Sequence, residues 1–365
     1  MRLLLLLGLL CAAAPARAER LDPATTYALV VGVLHWQDSA SFGSFPAADR
    51  KDRELDDTLG RRGVPASHRT ILLDEDATTA KITAALAKLV AAAPVGSTLL
   101  FYYAGHGGPA ESGNDTVLVS YDTRGDDMAG TGLTVAAITQ ELAAFKGDRV
   151  LLLGDACYTG GLAAAAQALA TRHVAAASLT SATASNTSTQ NWTFTQTVID
   201  ALNGRSELDA DGDRAIDLVE LDTAVGDAMS YREHQAHGFA NHGLPAHLIL
   251  ADAQPARLAR SKLAWVQAVG PSDQLETAKV LGERNGRLLL SFYSYATETQ
   301  RWFAPGEVTA LPSRPATPAT VLVEWHGQWW DATVVATRGA RTCIHYVGYA
   351  ASWDECVEAA RLRAP

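Results

Sequence analysis

Apolar residues in this chain gather into short unbroken runs. Tyr27 to Val33 (YALVVGV), Arg69 to Leu73, Ser97 to Tyr103, Arg149 to Gly154, Val174 to Leu179 and His247 to Leu250 each read as a strand buried on both faces. Between them lie segments with helical spacing: Ala47 to Arg61, Thr79 to Ala92, Thr134 to Phe145 and Phe194 to Asn203. This alternation over residues 25–252 predicts an α/β domain, a mostly parallel sheet covered by helices in three layers. In such sheets, chemistry gathers beyond the carboxyl ends of the strands.

After Ala251 the pattern changes. DAQPARLAR (Asp252 to Arg260) and the proline-rich LPSRPATPAT (Leu311 to Thr320) read as linkers. They bound two short β-rich segments, 262–311 and 320–363. Shifted by 54 residues, Glu276 to Val308 overlies Trp330 to Leu362 with six identities in 33 positions. Leu290 falls over Ile344 and Phe292 over Tyr346, so the strand period is kept, which predicts a duplicated small barrel.

Composition narrows the classes. With 365 residues, 48% apolar and 19% charged, the chain can bury a large core and is not disordered. Its net charge of −10 implies no basic face, so nucleic acid is excluded as a partner. Four cysteines are too few for a disulfide scaffold. The first residues carry Arg2, the run Leu3 to Leu10, and Ala16-Arg17-Ala18. This pattern predicts a secretory signal over residues 1–18, cut before Glu19. The run is too short to span a bilayer, so the expected location is secreted or periplasmic, with no membrane anchor after cleavage.

Two of the strands end in glycine-rich turns that carry a reactive side chain. One reads Phe101-Tyr-Tyr-Ala-Gly-His106-Gly107-Gly108, the other Leu151-Leu-Leu-Gly-Asp155-Ala-Cys157-Tyr-Thr-Gly-Gly161. Alone, His106 would be an ordinary strand-end histidine and Cys157 a small buried hydrophobe. Together, at two strand ends, they suit nucleophilic catalysis. The imidazole makes the thiolate and later protonates the leaving amine. The N–H groups of Gly107 and Cys157 are candidate donors to the oxyanion.

YYAGHG and DACYTGG, with TYALVVGV and FPAADRKDREL, resemble the caspase-like cysteine peptidases, and the metacaspase and bacterial caspase-like branch most closely. The resemblance covers about residues 25–250 and implies a Cys157–His106 dyad acting on proteins or peptides. The two residues are 51 apart, near the caspase spacing of about 50. Caspases carry Gln two residues before the nucleophile, where this chain has Asp155. Charge complementarity and the resemblance together imply cleavage after Arg or Lys, with Asp49 as a second acidic pocket residue. The competing expectation is an inactive caspase-like scaffold whose C-terminal barrels bind a partner.

Asp209-Ala-Asp211-Gly-Asp213-Arg214-Ala215-Ile-Asp217-Leu-Val-Glu220 has the spacing of an EF-hand loop. Asp209, Asp211, Asp213, Asp217 and Glu220, with the Ala215 carbonyl, are candidate Ca²⁺ ligands. Arg214 stands where glycine is usual. No cofactor is needed for the Cys–His chemistry. The resemblance also raises a second calcium site, for which Asp122, Asp126 and Asp127 are candidates. Arg172, in the connection after the nucleophile, is a candidate self-cleavage point.

The last segment resembles Tudor-like or SH3-type barrels. Trp329, Trp330, Tyr346, Tyr349 and Trp353 are either its core or an aromatic surface for a peptide or cell-surface ligand. Cys343 and Cys356 lie symmetrically about Tyr349-Ala350. They face each other across a predicted hairpin and are candidates for a disulfide.

Overall fold

The computed structural model describes residues 19–111, 115–183, 191–294, 297–311, 320–325, 328–338, 341–346 and 355–363. The predicted signal segment, Tyr349 and Trp353 lie outside the described residues.

The apolar runs become the centre of the first domain. Its elements are β1 (Thr26–Gly32), α1 (Lys51–Arg61), β2 (Arg69–Leu73), α2 (Thr79–Ala92), β3 (Thr98–Ala104), β4 (Gly107–Pro109), β5 (Thr116–Leu118), α3 (Met128–Thr131), β6 (Leu133–Thr134) and α4 (Val135–Leu142). They continue with β7 (Arg149–Asp155), α5 (Leu162–Ala170), β8 (Ala175–Thr180), α6 (Thr193–Leu202), β9 (Ala215–Asp217), α7 (Leu218–Arg232), β10 (Gly238–His242) and β11 (Ile249–Asp252). A six-stranded sheet has the order β10-β8-β7-β3-β1-β2. All its pairings are parallel except β10 against β8.

Each central strand sends alternate side chains to opposite faces, as the pleat requires. Val30, Leu100, Tyr102 and Leu153 pack with Leu55 of α1, Val198 of α6 and Leu221 of α7. Val31, Phe101, Tyr103 and Leu152 pack with Leu86 of α2, Ile138 of α4 and Leu169 of α5. The result is an α/β sandwich of three layers. Caps fix the helix starts: Thr78 accepts from Lys81 N ahead of α2, Thr134 from Ala137 N ahead of α4, and Asp217 with Glu220 forms a capping box on α7.

Two elements differ from expectation. His247 to Leu250 does not enter the main sheet; β11 pairs instead with β9. The sixth place is taken by β10, whose GFANH has only one large apolar residue and leaves no run to detect. Helix α1 begins at Lys51, not Ala47, because Asp49 adopts a left-handed φ of 53°.

The C-terminal half holds two five-stranded antiparallel sheets. The first comprises β12 (Trp265–Val269), β13 (Leu275–Arg284), β14 (Arg287–Ser294), β15 (Thr297–Phe303) and β16 (Thr309–Ala310). The second comprises β17 (Thr320–Trp325), β18 (Gln328–Arg338), β19 (Arg341–Tyr346), β20 (Glu355–Glu358) and β21 (Leu362–Arg363). Their orders, β15-β14-β13-β12-β16 and β20-β19-β18-β17-β21, are equivalent. Even the β-bulge repeats, between Val280 and Gly282 and again between Val334 and Ala336. Both bulges obey the 54-residue shift read from sequence. Cys343 and Cys356 are directly opposed on β19 and β20 and are joined in a disulfide.

The aromatic surface does not form among the described residues. Tyr346 is buried, with its hydroxyl 2.6 Å from Glu355. Trp330 packs against the core of the second sheet, and Arg363 covers the ring of Trp329 at 4.1 Å. Trp329 and Trp330 are neighbours on one strand and so point to opposite faces.

Candidate active site

Strands β3 and β7 are hydrogen-bonded neighbours in register, and their last rung pairs Ala104 with Asp155. His106 and Cys157 each lie two residues beyond that rung. The same-hand parallel pairing therefore delivers both to one rim of the sheet. Their backbones touch there: a Cβ on Gly107 would stand 2.2 Å from the Cys157 carbonyl oxygen, so only glycine fits. Cys157 is half-buried and takes part in no disulfide. The chain turns sharply after it, with Tyr158 in the left-handed region at φ 58°.

His106 is held by a shell that its own motif does not reveal. Its Nε2 lies 2.8 Å from the Gly43 carbonyl. A carbonyl only accepts, so Nε2 carries the proton and Nδ1 is the basic atom of the neutral ring. The rings of Trp36 and Phe45 sit 4.4 and 4.5 Å away. Burial among them lowers the imidazole pKa, opposed by the Gly43 bond, and favours the neutral base. The Tyr103 hydroxyl reaches the His106 carbonyl at 2.7 Å. The signal for this shell was the aromatic spacing of Trp36, Phe42 and Phe45 just after β1.

The backbone also orients Gly107, one of the two candidate oxyanion donors. Val119 N donates to the His106 carbonyl at 3.0 Å, which makes Gly107–Leu118 a non-hydrogen-bonded pair of the β4–β5 ladder. The Gly107 N–H therefore points away from β5.

Asp155 ends β7, two residues before Cys157, buried against the first turn of α6. Its Oδ2 accepts from Thr195 Oγ1 at 2.5 Å and Thr195 N at 3.3 Å. Burial raises its pKa to about 6, against the Thr195 and Ser181 bonds that lower it. Asp49 does not join it. The left-handed turn sends Asp49 outward, and the buried acid of this segment is Asp52. Asp52 is matched by Arg50 at 2.7 Å, whose guanidinium also binds Asp74 and, at 3.1 Å, the Gly32 carbonyl. The sequence reading missed Asp52 and its cation, because both look like solvated helix residues.

Carboxylate oxygens of Asp209, Asp211 and Asp213 converge within 4.8 Å. Arg214 takes the left-handed turn at φ 71° that glycine usually supplies. Glu220 folds back on the loop, accepting from Ala210 N at 2.5 Å, while Asp217 caps α7 and binds His247 at 2.6 Å. Ala215 opens β9. The donor set fits a hard divalent cation at its first three acids. The second candidate site does not assemble. Asp122 binds Thr79 N at 2.8 Å, Asp126 pairs with Arg124, and Asp127 caps α3. Among the described residues these three form no converging group. Arg172 lies on an exposed turn after α5 and donates to the Ala143 carbonyl at 2.9 Å.

Fold and site together define a three-layer α/β protein with a thiol and an imidazole at neighbouring strand ends. A model of the caspase domain matches residues 25–249, well over half of the chain, and the protein belongs to that family of cysteine peptidases. Among solved structures it is similar to protein GSU0716 from Geobacter sulfurreducens, with 16% identity and a TM-score of 0.46, covering 63% of this chain and 100% of that one. No curated protein matches it.

Proposed function

We propose that the chain is an exported cysteine endopeptidase of the caspase type, with metacaspase-like preference for cleavage after Arg or Lys. The observation that carries the reading is the shared rung Ala104–Asp155, from which His106 and Cys157 both emerge. His106 takes the Cys157 proton. The thiolate adds to the scissile carbonyl carbon, and the electron pair moves to oxygen, facing the N–H groups of Gly107 and Cys157. Collapse breaks the C–N bond, and the amine leaves with the proton from His106. Water then adds to the thioester, gives a proton to His106, and collapse returns the sulfur.

Asp155 supports the basic preference, since it is ionised above about pH 6 at the floor of the site. The loop from Asp209 to Glu220 would hold Ca²⁺ through its carboxylates, as a structural ion beside α7. The two C-terminal antiparallel sheets, alike in strand order, would act as small SH3-type units that bind a peptide or cell-surface ligand. The Cys343–Cys356 bond suits an oxidising compartment.

The test is turnover of fluorogenic peptides ending in Arg, Lys or Asp by the exported protein. Cys157→Ala should lower kcat by at least a thousandfold on the Arg and Lys peptides with folding intact. Unchanged turnover in that variant, or none in the wild type, would overturn the assignment.

A further inference from the structure

The first C-terminal sheet is docked against the peptidase domain on the side of Asp155. Glu298 of β15 binds Arg205 at 3.0 Å, and Arg232 of α7 reaches Ser291 of β14 and lies 5.2 Å over both the Trp265 and Tyr293 rings. Trp265 stacks on Tyr231 of α7 at 5.0 Å. Tyr293 packs against the buried cluster that contains Tyr102 and Phe194. Burial raises the pKa of its hydroxyl, Arg232 opposes this, and the charges of Asp155, Asp200 and Glu54 add smaller upward pulls.

This docking closes a groove. An open space of about 350 Å³ is bounded on one side by Asp49, Arg50, Lys51 and Glu54, and on the other by Thr297 and Glu298. Its position follows from the sheet. Arg50 holds the Gly32 carbonyl, Gly32 pairs with Ala104, and Ala104 pairs with Asp155. Two strand spacings, about 10 Å, separate β1 from β7. That equals roughly three residues of extended peptide. The cations in the groove are already matched: Arg50 by Asp52 and Asp74, and Lys51 by Glu54 at 2.8 Å. Asp49 stands exposed at the rim and leaves the groove with surplus negative charge.

We infer that this interdomain groove is a second substrate subsite, built jointly by the segment entering α1 and the start of β15, that takes a basic side chain two or three residues from the one at Asp155. The inference rests on the peptidase reading and deepens it. The C-terminal sheet is then part of the specificity apparatus, and preferred substrates carry two basic residues.

The experiment uses the full chain and internally quenched peptides with one Arg at the cleavage site. A second Arg replaces Ala at each of three positions on either side. At least one position should raise kcat/KM about tenfold. Thr297→Lys, at an exposed site, should abolish that gain while β12 to β16 keep their hydrogen-exchange protection. Asp49→Asn should reduce the gain severalfold. A second Arg without effect at every position, or a gain that survives Thr297→Lys, overturns this inference alone. A wild type that cleaves none of the peptides overturns the peptidase reading with it.

Discussion

At the same point of two equivalent sheets, the chain sets Leu289 opposite Trp302 and Cys343 opposite Cys356. The first sheet has a buried cluster of seven residues and the second of five among those described. Neither core is large enough to hold so small a unit by burial alone. The first is braced from outside, by Arg205, Tyr231 and Arg232 of the peptidase domain. The second carries a covalent tie inside. One strand plan has thus been stabilised in two ways. The sheet that leans on the caspase domain is the one that lines the interdomain groove.

That contrast can be broken at the brace first. Trp265→Ala removes the stacked anchor, and loss of a large buried aromatic costs about 3–5 kcal/mol. Amides of β12 to β16 should lose hydrogen-exchange protection while β17 to β21 keep theirs. Equal loss in both sheets would show that they are held as one body. The tie comes next. The disulfide closes a short loop, a separation of 13 residues. Its reduction should cost about 3 kcal/mol, confined to the second sheet. Exchange rates indifferent to reductant would remove its structural role.

The smallest effect is acidity. The Glu298 pKa is lowered to about 2: burial raises it, but Arg205 and the bonds from Ser291 and Gln300 together lower it by more. A depressed carboxylate stabilises the folded state above its unfolded value near 4.5. That contribution is lost as the pH falls through about 2. About 2 kcal/mol of docking should fade over this window, allowing for solvent at the rim. Urea titrations of the full chain at pH 6 and pH 3 should show it as early release of the first sheet. Coincident release at both values would exclude Glu298 as the latch.

Legibility in the sequence followed locality. Strands buried on both faces wrote themselves as apolar runs, and the two glycine turns marked His106 and Cys157 without help from the fold. The helical spacing of Phe194 to Asn203 likewise anticipated α6, Thr193–Leu202. The repeat was readable because its Leu290/Ile344 positions keep the strand period. What stayed hidden depends on distant or atypical partners. The edge strand β10 lacks an apolar run. Asp49 reads as a pocket acid from the resemblance and its charge, and the left-handed turn it makes ahead of α1 carries no apolar mark in the sequence. Gly43, 63 residues before His106, binds it through a carbonyl that carries no sequence mark. Thr297 and Glu298 reach the groove only through the docking of a separate sheet.

The reactive pair grows from a single rung of hydrogen bonds, at equal remove from it. Twisting of the sheet, its softest collective deformation, therefore carries thiol and imidazole along as passengers of the same motion. Their relative placement is thereby insulated from the bending of the scaffold.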